Sequence, residues 1–341
     1  MKKKILFRAD GNSSIGLGHL YRLFAIVEMV KETYEFAYVI RSSSTSNIVP
    51  DEYTTTIIPD EIDNEEEPEW LAKKYTPEEH IIIADGYQFV SNYQKKIKAL
   101  GFSLIYIDDL AKEHMYADIV INHSPALKSL DFTSESYTKF ALGTEHSILR
   151  PLFIEKAKEQ KEKTSINTIF ICFGGSDFFN LTYKSVEGIT KISDVKEIHV
   201  VLGGAYNYND IHDLIKDQKD RVFLYRNLDE KEMLNVMDKC DLAIVPTSTI
   251  CYEVCCVKML ILGGYYVDNQ VNIYNGFLKS DIIYPGGDFK KYSSVDFKVK
   301  VEDTMKKLPT DFEKKLTHQH QLFDGNQKKR FLKLLNELEV C

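Results

Sequence analysis

Residues 1–22 read MKKKILFRADGNSSIGLGHLYR. Ile5, Leu6, Phe7 and Ala9 make a short apolar run suited to a buried strand, and Asp10-Gly11-Asn12-Ser13-Ser14 has the composition of a turn. Gly16-Leu17-Gly18-His19 then leads into Leu20, Leu23, Phe24, Ile26 and Val27, apolar residues at helical spacing. Strand, glycine loop and helix start in that order predict the first βα unit of a parallel sheet. His19 falls at the mouth of that sheet, where open α/β folds bind ligands. Gly16 and Gly18 let backbone come close to a ligand at a helix N-terminus. His19 is a candidate general base, with a purely structural histidine as the alternative.

The pattern repeats along the chain. Glu35 to Ile40 reads as a second strand, and His80-Ile81-Ile82-Ile83-Ala84 as a strand buried on both faces, ending in Asp85-Gly86-Tyr87. A helix over 91–100 follows, then a strand over 103–107 ending in Asp108-Asp109 and another over 119–121 ending in Asn122-His123. The acidic residues 60–69 read as a solvated loop before a helix near Trp70. The charged stretch EKAKEQKEKT, 155–164, is the best linker candidate. Beyond it a second α/β series starts with the strand over 168–173, stopped by Gly174-Gly175-Ser176-Asp177. Strands over 199–202, 222–225, 242–245 and 260–262 alternate with helices, and a lysine-rich amphipathic helix over 323–338 ends the series. Alternation of this kind predicts doubly wound parallel sheets. The expected domains are 1–154 and 165–341, both Rossmann-like, with the last helix a candidate to pack back on the first.

Composition narrows the class. At 341 residues, 44% apolar and 28% charged, the chain suits a two-domain globular protein. No apolar stretch approaches the roughly 18 residues of a membrane span, and the three N-terminal lysines run into a strand with no cleavage-site pattern, so no signal peptide is expected. The formal charge of −8 argues against a nucleic-acid partner. Six cysteines, including Cys251, Cys255 and Cys256 at a helix start, read as buried reduced thiols of a cytoplasmic protein. Cys251 and Cys255 are spaced to share a metal but lack the second pair of a zinc ribbon. Gly16-x-Gly18 lacks the third glycine of the dinucleotide fingerprint and no Walker loop is present, which argues against a nicotinamide dehydrogenase and against phosphoryl transfer from a bound triphosphate. No clustered carboxylates demand a metal, and no cofactor is expected.

In the second half, Gly174-Gly175-Ser176-Asp177 and Pro246-Thr247-Ser248-Thr249 are strand-to-helix turns. Their small and hydroxyl residues suit a diphosphate, or serve simply as helix caps. Glu253, one turn into the following helix, is placed to accept from a ribose diol or to be a solvated carboxylate.

Taken together, Arg8-Ala9-Asp10-Gly11 and Ile15-Gly16-x-Gly18-His19-x-x-Arg22 resemble the opening signature of the UDP-2,4-diacetamido-2,4,6-trideoxy-β-L-altropyranose hydrolase family of pseudaminic acid biosynthesis. Relatives of that family include glycosyltransferase-like proteins of spore-coat polysaccharide synthesis and, more distantly, the peptidoglycan N-acetylglucosaminyltransferase. The resemblance continues through Asp85-Gly86-Tyr87, Asp108-Asp109, Asp118-x-x-x-Asn122, Leu149-Arg150-Pro151-x-Phe153, Gly174-Gly175-Ser176-Asp177, Glu253, Asp268-Asn269-Gln270 and Asp324-Gly325. It implies a GT-B fold, two Rossmann-like parallel-sheet domains facing a central cleft, and a UDP-sugar substrate. On that resemblance His19 is the base that activates water, Tyr87 lies near the sugar, and Glu253 holds the ribose. Ser248 and Thr249 hold the phosphates, and Asn269 and Gln270 the sugar or phosphate side. Asp10, Gly16, Gly18, Arg22, Asp85, Arg150 and the Gly174–Asp177 turn complete the expected substrate-binding set. The implied reaction is hydrolysis with inversion; transfer of the sugar to an acceptor, and binding without turnover, are the alternatives. Two departures, Pro246-Thr247-Ser248 before the ribose glutamate and Gly86 between the aspartate and tyrosine, bear on the identity of the sugar.

Overall fold

A computed structural model describes residues 2–12, 17–44 and 49–339. The chain forms two compact units, one of Met1–Pro151 with Asn326–Cys341 and one of Leu152–Gly325.

The first unit carries strands β1 (Lys4–Ala9), β2 (Phe36–Arg41), β3 (Thr55–Ile58), β4 (His80–Asp85), β5 (Ser103–Ile107), β6 (His114–Met115), β7 (Ile119–Asn122), β8 (Thr133–Ser134) and β9 (Lys139–Leu142). Seven of them make one parallel sheet in the order β3-β2-β1-β4-β5-β7-β9, while β6 and β8 pair with each other. Every residue of β4, β5 and β7 is buried, which explains why those strands are nearly continuous apolar runs. Helices α1 (Gly18–Val30), α2 (Glu67–Lys74) and α3 (Ser91–Ala99) connect them. α1 buries Leu20, Leu23, Ile26, Val27 and Val30, the stripe set by its periodicity.

Helix α4 (Pro151–Lys156) spans the boundary at Pro151/Leu152, and the second unit carries β10 (Thr168–Ile171), β11 (Glu197–Leu202), β12 (Val222–Arg226), β13 (Leu242–Pro246), β14 (Leu260–Tyr265) and β15 (Tyr284–Asp288). Their order, β12-β11-β10-β13-β14-β15, is the Rossmann order when counted within the unit, and all pairings are parallel. Helices α5 (Leu181–Ile189), α6 (Asp210–Leu214), α7 (Glu230–Asp238), α8 (Thr249–Cys256), α9 (Val271–Lys279), α10 (Ser294–Met305) and α11 (Pro309–Leu322) accompany the sheet. The last helix, α12 (Gln327–Glu339), belongs to the first unit, where it packs against α1 and the turn Thr144–His146 and buries Phe331, Leu335 and Leu338.

Several expectations are corrected. The stretch 155–164 is no linker: it lies inside the second unit, where Lys161 Nζ donates to the Asp238 carbonyl at 2.8 Å and Lys163 pairs with Asp241. The last helix starts at Gln327 rather than at 323, because Gly325 at φ 72° turns the chain first. β15, with the sequence YPGGD, has no strand propensity and survives as an edge strand, where proline and glycine are tolerated. The acidic loop 60–69 is not wholly solvated, since Glu67 is fully buried. Cys172, Cys240, Cys251, Cys255 and Cys256 are buried and form no disulfide. No helix among the described residues is long and apolar enough to cross a membrane.

Candidate active site

The carboxyl ends of β1, β4, β5 and β7, four neighbours in the first sheet, deliver a cluster of charged side chains. His19 sits in the first turn of α1. Its Nδ1 lies 2.7 Å from Oδ1 of Asp85, the last residue of β4. A carboxylate only accepts, so Nδ1 carries a proton, and in the neutral ring Nε2 then carries the lone pair. Asp85 is 0% exposed, whereas 13% of the His19 side chain reaches solvent. The Tyr87 ring, 47% exposed, meets the imidazole edge-on at 5.1 Å between centroids.

Arg22, one helical turn beyond His19, bridges two carboxylates. Its Nε and Nη2 donate to Asp85 Oδ2 and Oδ1, each at 2.6 Å. Its Nη1 and Nη2 donate to Asp109 Oδ1 and Oδ2 at 2.7 and 3.0 Å. Burial works against the ionised Asp109, but the Arg22 guanidinium outweighs it and holds that carboxyl well below the usual range. His123, after β7, is buried; desolvation and the Arg22 charge push its imidazole down to about 4, against the pull of Asp109 and Asp85. Sequence reading placed Asp109 and His123 at strand ends without joining them to His19. Polar residues closing adjacent apolar strands were the available signal.

Asp10 sits on a different scaffold. It accepts from the Arg41 N–H at 2.8 Å, Ser44 Oγ at 2.7 Å and Gln88 Nε2 at 3.2 Å, and pairs with Arg8 at 2.7 Å. Burial would raise its carboxyl, but Arg8 and the Arg41 and Ser44 donors hold it low. Arg8, 1% exposed, also forks onto Glu67 at 2.7 and 2.9 Å, and Glu67 accepts further from Arg41 and Tyr93. This network fixes Asp10 at the end of β1 and occupies it with partners inside the protein. Gly16 lies outside the described residues. Gly18 opens α1 with nothing within 4 Å of where a Cβ would stand. Arg150 is half-buried in the first unit.

In the second unit the turns after β10 and β13 lie at the carboxyl ends of adjacent strands, the switch point of the sheet. Gly174 adopts φ 83°, and Gly203 after β11 presses against this turn, its missing Cβ falling 2.2 Å from the carbonyls of both Gly174 and Gly175. Gly175 is exposed and Ser176 half-buried, but Asp177 is buried, its carboxylate accepting from the N–H groups of Leu181 and Thr182 at 2.8 Å. Asp177 is therefore a helix-start anchor. Gln270 is likewise internal, Oε1 accepting from the Tyr266 N–H at 2.9 Å. Ser248 precedes α8 with extended backbone and makes no side-chain bond to the helix; Thr249 and Asn269 are exposed, and Glu253 is 5% exposed on α8.

Two parallel-sheet units of this topology define a GT-B fold, the architecture of nucleotide-sugar glycosyltransferases. MurG of Acinetobacter baumannii superposes with a TM-score of 0.67 at 12% identity, over 98% of this chain and 99% of that one. The spinosyn rhamnosyltransferase SpnG superposes with a TM-score of 0.63 at 11% identity, over 98% and 100%. In sequence, the chain is 25% identical over 274 residues to the UDP-2,4-diacetamido-2,4,6-trideoxy-β-L-altropyranose hydrolase of Campylobacter jejuni, covering 78% of this chain and 93% of that protein. It is 22% identical over 272 residues to the spore coat polysaccharide biosynthesis protein SpsG of Bacillus subtilis, 77% of each. An uncharacterised protein of Methanocaldococcus jannaschii is 28% identical over 288 residues, 81% of this chain but only 58% of that protein's length. These include the relatives toward which the opening signature pointed. No protein-family profile matches the chain.

Proposed function

We propose that this chain is a nucleotide-sugar hydrolase that removes UDP from a diacetamido-trideoxy sugar, with His19 as general base. The observation that carries the reading is the buried Asp85 carboxylate 2.7 Å from His19 Nδ1, which turns Nε2 into an acceptor. The similarity to the Campylobacter jejuni hydrolase supports the substrate class. The proton of an attacking water passes to His19 Nε2 as its oxygen bonds to the anomeric carbon from the face opposite the diphosphate. The bond from that carbon to the diphosphate oxygen breaks and its electrons leave with UDP, so the product is inverted. UDP departs as a stable anion, so a second carboxyl acid of the kind glycosidases use is not needed. Within the second unit, the Gly174–Ser176 turn and the Ser248-Thr249 helix start would donate to phosphate, and Glu253 would accept from ribose hydroxyls. Tyr87 and Asn269 are assigned to the sugar. The buried cysteines, which form no disulfide, suit a reducing compartment, the cytoplasm.

The test is a product assay on UDP-sugars without acceptor, for wild type and His19→Asn. Hydrolysis of one diacetamido-trideoxy sugar is expected, reduced roughly 10²–10⁴-fold in the variant with UDP affinity unchanged. Product only when an acceptor is present would make the chain a transferase, and wild-type turnover in the variant would remove His19 from the mechanism.

A further inference from the structure

We infer that Arg22 and Asp109 are positioning residues for the His19–Asp85 pair and that Arg22 is not a substrate contact; the inference rests on the base role proposed for His19. A guanidinium has five N–H donors. Four bonds from Arg22 are already made, two to Asp85 and two to Asp109, all between 2.6 and 3.0 Å. Arg22 is 9% exposed, so at most one N–H is left for anything else. The sequence resemblance placed Arg22 and Asp85 on the substrate; the geometry spends both on each other.

The arrangement sets two things for the imidazole. The first is orientation: Asp85, gripped side-on through Nε and Nη2, cannot rotate its Oδ1 away from His19 Nδ1. The second is charge. The groups facing the imidazole are Asp85 from β4, Asp109 beyond β5, Tyr87, and Arg22 itself, whose Nη2 lies 3.4 Å from His19 Nδ1, while His123 beyond β7 feels Arg22, Asp109 and Asp85. Arg22 lies between the two carboxylates as their counter-charge, and Asp109 in turn compensates Arg22. Lysine would supply the charge at one point but could not fork onto both carboxylates.

These roles make opposite predictions for opposite charge changes. Arg22→Gln leaves two carboxylates without their counter-charge, so the acid limb of the kcat–pH profile moves up by about one pH unit. Asp109→Asn leaves Arg22 less compensated, so the limb moves down by a similar amount. Arg22→Lys keeps the limb near its wild-type position but lowers kcat, because charge is restored without the fork. KM and UDP affinity stay within about threefold in all three, and an NMR titration of the His19 imidazole, read without turnover, shows the same shifts. The inference is overturned if Arg22→Gln weakens UDP or substrate binding tenfold with the pH limb unmoved, which would make Arg22 a ligand contact. It is also overturned if both charge changes move the limb the same way. A His19→Asn variant separates the two readings: full turnover there removes the base role, whereas loss of turnover there together with unmoved limbs in the Arg22→Gln and Asp109→Asn variants removes only the positioning role.

Discussion

At the level of single residues, the candidate site is a histidine whose chemistry is decided by a carboxylate far away in sequence. Asp85 is buried completely and shares its two oxygens between His19 and Arg22. Asp85→Asn removes the charge and lets the amide present N–H to the imidazole, so the wrong nitrogen carries the proton. Turnover is expected to fall by roughly 10²–10⁴-fold with UDP binding within threefold of wild type, measured by steady-state kinetics and calorimetry. His19 was legible as a strand-end histidine behind a glycine loop. Its partner was not, because nothing in a linear spacing says which of the strand-end residues Asp85, Asp108, Asp109 or His123 will face it. Asp108, for instance, turns aside to accept from the Asn122 amide and the Ala111 N–H.

At the level of elements, the long buried strands could be read directly because burial on both faces leaves an uninterrupted apolar signature. Edge strand β15 and the network around Glu67 could not, since each is held by neighbours distant in sequence. Glu67 looked like one more solvated acid, yet it neutralises Arg8 inside the first unit. Glu67→Ala leaves the buried Arg8 guanidinium with Asp10 as its remaining counter-charge and is expected to cost about 3 kcal/mol in urea unfolding, whereas Glu69→Ala, on the exposed side of the same helix, costs under about 0.5 kcal/mol. In the second unit the contact between Gly203 and the Gly174-Gly175 turn leaves no room for a methyl group. Gly203→Ala is expected to shift that turn and weaken UDP binding roughly tenfold, the equivalent of about 1.4 kcal/mol, while the unit remains folded. Unchanged UDP affinity would show that the turn does not hold the nucleotide.

For the molecule as a whole, pH stability carries the mark of His123. Its folded imidazole is depressed from 6.5 to about 4 by burial and the Arg22 charge. Between those values the unfolded chain binds a proton that the folded chain does not, so stability is complete above about 6.5 and is lost as pH falls toward 4, by about 3 kcal/mol. Asp108, raised by burial, acts in the opposite sense at the lower end of the window. Wild type compared with His123→Gln isolates the histidine: over that interval the variant's unfolding free energy should decline by about 3 kcal/mol less than that of the wild type. The two-sheet architecture was legible from the alternation of strands and helices. A run of charges at 155–164 looks the same whether it spans a gap or lies on a folded surface, and only the partners Asp238 and Asp241 decide it.

The return of α12 to the first unit has a consequence for biosynthesis. The second unit has all of its residues once Gly325 has been added, whereas the first still lacks the helix that covers α1 and the Thr144–His146 turn. Of the two units, the one that begins first is thus completed after the other. Until 327–339 emerge, the apolar contacts reserved for Phe331, Leu335 and Leu338 stay open on the nascent chain.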